Sequence, residues 1–226
     1  MPEILFEDNH VIAVNKRSSD LSQGDKSGDV SLDTEVKKYL AEKYGKQGRV
    51  FLGVVHRLDR PVAGVLLYAR TSKALARFNE MFRTSQVKKY YLAIVKERPP
   101  AEEATISHFL RKNEKQNKTY VYDNEVKDSK KASLTYRLLG HLHNYYLLGI
   151  QLHSGRHHQI RAQLAAIGCP VKGDLKYGYL RSNKDGSISL LARRLEFLHP
   201  VNHELVTITA PLPDSDLWKM FEYCIS

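Results

Sequence analysis

From about residue 104 to 152 the chain is a succession of strand-like stretches: ATISHFL, KTYVYD, ASLTYRLL and YYLLGIQL. A chain that commits its middle third to strands cannot be a helical bundle, and without strict alternation of strand and helix it does not read as a doubly wound fold. More strand-like segments flank this block. ILFEDNHVIAVN (4–15) reads as two short strands about a turn at Asp8-Asn9. Residues 50–56 form an apolar run that ends at His56-Arg57-Leu58-Asp59-Arg60-Pro61, where Pro61 stops regular pairing. Segments 64–69, 87–95, 187–198 and 204–210 complete the set.

Helical periodicity is confined to a few places. Residues 32–44 put Val36, Leu40 and Tyr44, with Tyr39, on one face, between a candidate N-cap at Ser31 and a glycine stop at Gly45. A second helix starts at Thr71 or Ser72 and carries Leu75, Phe78 and Phe82. A third spans 157–167 with Ile160, Leu164 and Ile167 turned inward. A short C-terminal helix carries Leu217, Phe221 and Tyr223 or Cys224. Residues 16–30 are polar, rich in Ser and Gly, and read as a loop. No internal repeat and no long linker divides the chain. The expectation is one α+β domain over residues 1–226, built on a mixed sheet.

Composition narrows the function classes. Forty-two per cent hydrophobic residues fill a sizeable core and exclude a disordered chain, while 13 Gly and 8 Pro exclude a collagen-like one. Cys169 and Cys224 lie far apart with no CxxC, too few for a disulfide scaffold or a cysteine-based zinc site. This points to a reducing compartment, the cytoplasm. The N-terminus lacks the pattern of a secretory signal, and no window approaches eighteen apolar residues, so no membrane is expected. Thirty-five Lys+Arg against 25 Asp+Glu leave a net charge of +10, which suits a polyanionic partner such as nucleic acid; basicity that serves solubility alone is the other reading.

Three constellations carry possible chemistry. In His56-Arg57-Leu58-Asp59-Arg60 a carboxylate sits between two guanidinium groups at the end of an apolar run. Nearby cations favour its ionised form, so Asp59 suits the work of a nucleophile or electrostatic stabiliser better than that of an acid; an ordinary loop-holding ion pair is the plainer reading. Ser154-Gly155-Arg156-His157-His158-Gln159-Ile160-Arg161 is a tight turn into a helix, rich in donors that could receive an anion. With His153 it could suggest a metal, but adjacent residues diverge on a helix and no carboxylate stands at ligand spacing. Lys88-Lys89-Tyr90-Tyr91 lies in a strand, which sends the two tyrosines to opposite faces, so that one can join the core and the other can offer its ring to a base or sugar; two half-buried strand tyrosines are the commoner reading. The runs RKNEKQNK (111–118) and Lys127–Lys131 offer further cationic surface.

Together these segments resemble one family. His56-Arg57-Leu58-Asp59-Arg60-Pro61-x-x-Gly64, Lys89-x-Tyr91-x-Ala93, and Gly155-Arg156-x-His158-Gln159-Ile160-Arg161 are similar to the signature segments of the RluA-type RNA pseudouridine synthases. So are Gly168-x-Pro170-x-x-Gly173-Asp174-x-x-Tyr177-Gly178, Leu195-x-Phe197-x-His199-Pro200 and Pro211-Leu212-Pro213, all in the family's order over roughly residues 4–213. The chain departs at Val62-Ala63 (Thr-Ser is frequent), Ser154 (Thr), Ala162-Gln163 (Val-His), Cys169 (His) and Leu191. The pattern begins within the first few residues, so the expectation is a stand-alone catalytic domain without an S4 RNA-binding domain.

The resemblance implies a mixed, largely antiparallel sheet with flanking helices and a central RNA-binding cleft. It implies isomerisation of uridine to pseudouridine in RNA, with no cofactor and no metal. Asp59 is then the catalytic residue, Tyr91 packs on the target base, Arg161 pairs with the catalytic carboxylate, and Arg57 fills the space left by a flipped nucleotide. Arg60, Arg156, His158 and Gln159 are the further candidate contacts to substrate. Transfer RNA and ribosomal RNA are both open as targets, and the expected state is a monomer with no obligate protein partner. Whether Asp59 attacks the base, attacks the sugar or removes a sugar proton stays open. The rival readings are a non-catalytic basic RNA-binding protein on the same scaffold, a metal-dependent hydrolase using His153, His157 and His158, and a ribosome-associated structural protein.

Overall fold

The computed structural model describes residues 1–25 and 28–225; Lys26 and Ser27, within the stretch expected to be a loop, and Ser226 lie outside the described residues. In chain order the elements are β1 (Ile4–Glu7), β2 (Val11–Lys16), α1 (Leu32–Lys43), β3 (Gly53–Val54), β4 (Ala63–Ala69), α2 (Ser72–Arg83) and β5 (Lys88–Val95). There follow β6 (Glu103–Asn113), β7 (Lys118–Tyr122), β8 (Lys130–Leu142), β9 (Tyr145–Leu152), α3 (Gln159–Ala166), β10 (Leu190–Leu198), β11 (Leu205–Thr209) and α4 (Asp216–Met220). The α+β class is as expected, with antiparallel pairing throughout the registered strand pairs.

The chain divides into two compact units, Met1–Lys88 with Ala192–Pro211, and Lys89–Leu191 with Leu212–Ser226. In the first, the strands run in the order β1, β2, β4, β10, with β3 on β4 and β11 on β10. β2 and β4 are its core: Val11–Val14 and Val65–Ala69 have no exposed surface. α2 adds Phe78, whose ring meets Phe197 of β10 edge-on at 5.2 Å. Thr71 caps α2 as expected, its hydroxyl accepting the Ala74 N–H at 3.1 Å, a contact worth about 1 kcal/mol. Ser31 stands at the N-cap of α1 but makes no capping bond; its hydroxyl donates to Asp33 at 2.5 Å instead. Gly45 follows α1 at φ +58°, the left-handed stop expected of it.

Two expectations for this unit need correction. The apolar run 50–56 contributes only Gly53–Val54 to the sheet, because His56 Nε2, not a strand carbonyl, accepts the Leu67 N–H at 3.1 Å. The polar stretch does not begin at residue 16: Lys16 closes β2 and is fully buried. Gly64 is fixed by geometry. Its φ is +120°, and a Cβ there would stand 2.2 Å from the Ala192 carbonyl oxygen.

In the second unit the order is β5, β9, β8, β6, β7. Leu134 and Tyr136 of β8, Leu148 and Ile150 of β9, and Trp218 and Phe221 near the C-terminus are buried. The C-terminal helix is two short turns, with Trp218 and Phe221 rather than Leu217 and Tyr223 inside. α3 is shorter than the periodic stretch suggested and is not amphipathic: Arg161, Ala162 and Gln163 are buried along with Ile160 and Leu164, and Ile167 is only half-buried.

Candidate functional site

In the first unit the site residues share one loop. Arg57 and Arg60 are exposed, Leu58 is buried and Asp59 is half-buried. The loop has little freedom. Ser22 brackets Leu58, its hydroxyl donating to the Leu58 carbonyl at 2.9 Å and accepting the Leu58 N–H at 3.1 Å. Tyr68 holds Ser22 in turn, donating to its carbonyl at 2.6 Å. Past the carboxylate, the Val62 N–H donates to the Asp59 carbonyl and the Ser19 N–H to the Arg60 carbonyl.

Lys16 is the anchor beneath this loop. Its ammonium donates to the carbonyls of Arg17, Arg60 and Val62 at 2.9, 3.0 and 2.8 Å, which uses all three of its protons. Burial pushes its pKa down to about 8, against the pull of Asp20 and Asp59. Arg60 turns away from its neighbour in sequence: its guanidinium binds Asp29 at 2.8 Å and the Ser19 carbonyl. A carboxylate carried on backbone held this way can act as a nucleophile or as a fixed charge without first paying for loop ordering.

In the second unit Tyr91 lies half-buried on β5, opposite Ile150 of β9. Lys89, two residues earlier, is buried, reaches the Ser154 carbonyl at 3.5 Å, and has its pKa lowered by burial and by Arg156. The turn 154–158 is built largely by Gln159. Its Oε1 accepts from the Ser154 hydroxyl and the Arg156 N–H, and its Nε2 donates to the Ser133 carbonyl at 3.0 Å. Part of the donor set that the sequence offered to an anion is therefore satisfied within the turn. Arg156 stays exposed, with Nε 3.4 Å from the Lys131 carbonyl.

His158 is drawn inside. It sits at φ +51°, a left-handed conformation that costs a non-glycine residue on the order of 1 kcal/mol, and its carbonyl starts α3 by accepting the Ala162 N–H. Its Nδ1 lies 2.9 Å from the Tyr177 hydroxyl. That hydroxyl also accepts the Thr119 N–H at 2.8 Å, which ties the His158 ring to β7. Burial first, then Arg161, pushes the His158 pKa down to about 2. Arg161, three residues on, is buried with Asp174: Nε and Nη2 reach the carboxylate at 2.6 and 3.0 Å, and the Tyr177 ring lies 5.1 Å from the guanidinium carbon.

The histidines are not arranged around a common point. His153 Nε2 is 2.8 Å from the Thr135 hydroxyl and His157 Nδ1 is 2.8 Å from that of Thr119. Among the described residues no three or more His, Cys, Asp or Glu are grouped to hold a metal ion.

A family model described as RNA pseudouridylate synthase matches residues 10–166, which takes in the Asp59 loop, Tyr91 and Arg161. The chain belongs to the RNA pseudouridylate synthase family. Relatives in the family include the ribosomal large subunit pseudouridine synthase C of Rickettsia prowazekii, 34% identical over 176 residues, 77% of this chain and 56% of that one. The ribosomal large subunit pseudouridine synthase D of Xylella fastidiosa is 32% identical over 229 residues, 94% of this chain and 66% of that one. The chain spans about half the length of the first curated relatives it matches. The fold is that of human RNA pseudouridylate synthase domain containing 4, with a TM-score of 0.78 at 22% identity, covering 96% of this chain and 91% of the human one.

Within this family frame, sequence reading missed Lys16, Ser22 and Tyr68, which hold the Asp59 loop, and Thr119, which with Tyr177 holds His158. Lys16 left one trace. It stands just past an apolar run, VIAV, that is buried on both faces.

Proposed function

We propose that this chain isomerises uridine to pseudouridine in structured RNA, with Asp59 as the reacting carboxylate. Family membership supports the reaction class, and the observation that carries the residue assignment is the Asp59 loop, tied through Lys16 and Ser22 to four backbone groups of residues 58–62. The N1–C1′ bond of the uridine breaks, the base turns, and C5 joins C1′ as its proton is lost and N1 gains one. Nothing is oxidised, so no redox partner is needed.

The target atom is out of reach in a stacked helix, so the nucleotide is extruded at a cost of a few kcal/mol. Exposed Arg57 is the residue assigned to the vacated space, and exposed cations including Arg60 and Arg156 contribute phosphate contacts that offset the cost. Tyr91 is the base platform. Arg161, held by Asp174, is the residue assigned to pair with the reacting carboxylate. His158 and Gln159 serve by shaping the turn that presents Arg156 and starts α3. The two free cysteines suit the reducing cytoplasm, where both transfer and ribosomal RNA are made. The name of the Rickettsia relative makes large-subunit ribosomal RNA the first transcript to try.

The test is a pseudouridine map of total RNA with and without the gene. Loss of one or a few discrete sites on its removal, restored by the wild-type chain, supports the reading; an unchanged map overturns it in favour of a non-catalytic RNA-binding protein.

A further inference from the structure

β6 and β7 form a hairpin whose two faces differ in chemistry. The register pairs Phe109 with Tyr122, Arg111 with Tyr120 and Asn113 with Lys118, so these side chains share one face. β8 adds Lys131 opposite Phe109 on the same face. The alternate residues point the other way. Leu110 and Thr119 are buried there, Thr119 is held by Tyr177 and His157, and His108 meets Gln163 of α3 at 3.1 Å. The outer face is thus three rings, three cations and an amide, with no carboxylate among these pairs.

The rings on it are held in place. The Arg111 guanidinium lies 5.1 Å from the Tyr122 ring centre and donates to the Tyr122 hydroxyl at 2.6 Å. Lys118 Nζ lies at the edge of this face, 5.8 Å from the Tyr120 ring and 5.4 Å from that of Tyr177, and the Tyr120 hydroxyl donates to Gln116 at 2.5 Å. Arg111, Lys112, Asn113, Tyr120 and Tyr122 line an open cleft of about 360 Å³, the size of a small-ligand site. Tyr120 is 38% exposed, and Tyr122 and Phe109 are half-buried.

Register also separates this surface from the base platform. Tyr91 pairs with Ile150, Ile150 with Tyr136 and Tyr136 with Ala104, which puts Tyr91 on the parity of Leu110, the inner face. β7 ends the strand order of its unit, so a nucleic-acid strand can pass round that edge from one face to the other.

We propose that this outer face is a second RNA contact that captures unpaired nucleotides, with bases stacked on Tyr120, Tyr122 and Phe109 and phosphates on Arg111, Lys118 and Lys131. It rests on the reading that the substrate is RNA but not on the reaction itself. Exposed rings beside cations favour single strands, because duplex bases are already stacked on each other.

The test measures binding of the full chain to a single-stranded oligouridylate of about ten nucleotides and to a duplex of equal length. Tyr120→Ala with Tyr122→Ala is expected to weaken single-strand binding about tenfold or more, and Tyr120→Phe with Tyr122→Phe to keep it within about twofold. Thermal melts of both variants show that the hairpin still folds. On the wild type, 5-iodouridine in the oligonucleotide should photo-cross-link to a peptide containing residues 118–122. Wild-type affinity in the alanine pair, or cross-links confined to other peptides, would overturn the proposal. Pseudouridine formation is read separately on transcripts: its absence removes the reaction and leaves this surface standing, whereas turnover together with undiminished binding by the alanine pair removes the surface alone.

Discussion

The ammonium of Lys16 and the carbonyl of Val62 lie 2.8 Å apart, on a lysine with no exposed surface. The bond joins the end of β2 to the far side of the Asp59 turn, 46 residues on. A buried cation is costly unless its donors are met, and here each of the three is met by a carbonyl.

Lys16→Met keeps the length of the side chain and removes its donors, leaving carbonyls beneath the loop unsatisfied. Urea unfolding should show a loss of about 2–4 kcal/mol, since each orphaned acceptor costs about 1–3 kcal/mol and loss of the buried charge returns part of it. An unchanged midpoint would contradict the anchoring role. The pH dependence has a definite sign. Folded Lys16 releases its proton near pH 8 and the unfolded side chain near 10.5, so between these values the unfolded state holds the extra proton and stability rises with pH. The gap between wild type and Lys16→Met should therefore change in the wild type's favour from pH 8 toward about pH 10, and a change the other way would refute the buried, depressed lysine.

His158 works in the acid range. Its folded pKa is near 2 and its unfolded value is 6.5, so it adds stability above pH 6.5 that is lost progressively as pH falls toward 2. Nitrogen-15 NMR of the imidazoles should show His158 neutral at about pH 5, where an ordinary histidine is charged. A charged ring at that pH would contradict the burial that keeps it neutral.

Asp174→Asn removes the charge of the carboxylate that Nε and Nη2 of buried Arg161 reach. Breaking such a pair costs about 3–5 kcal/mol, so the thermal midpoint should fall clearly. Asp174→Glu should recover part of the loss in both stability and turnover. If Asn and Glu behave alike, the bidentate geometry does not matter.

Sequence reading found what local pattern controls. β4, β5 and α2 fall within about a residue of expectation, because an apolar run, a stretch rich in aromatic and β-branched residues and a Thr N-cap followed by helical spacing each leave a local mark. It overextended β3, since nothing in residues 50–56 tells that the His56 side chain takes the place of a strand carbonyl. It took α3 for a one-sided helix, because Arg161 and Gln163 look like solvent residues until Asp174 and His108 are seen beside them. The loop carrying Asp59 was legible as a motif, but its support was not. Lys16 and Ser22 act on carbonyls up to 46 residues away, and a polar residue gives no local sign of such a partner.

The most direct test of the account is Asp59→Asn, assayed beside wild type for carbon-linked pseudouridine in a transcript that the wild type modifies, with RNA affinity measured in parallel. The substitution keeps the side chain's shape and removes its charge, so product should vanish while affinity stays within a few-fold. Product formed at the wild-type rate by Asp59→Asn would contradict the claim that this carboxylate reacts.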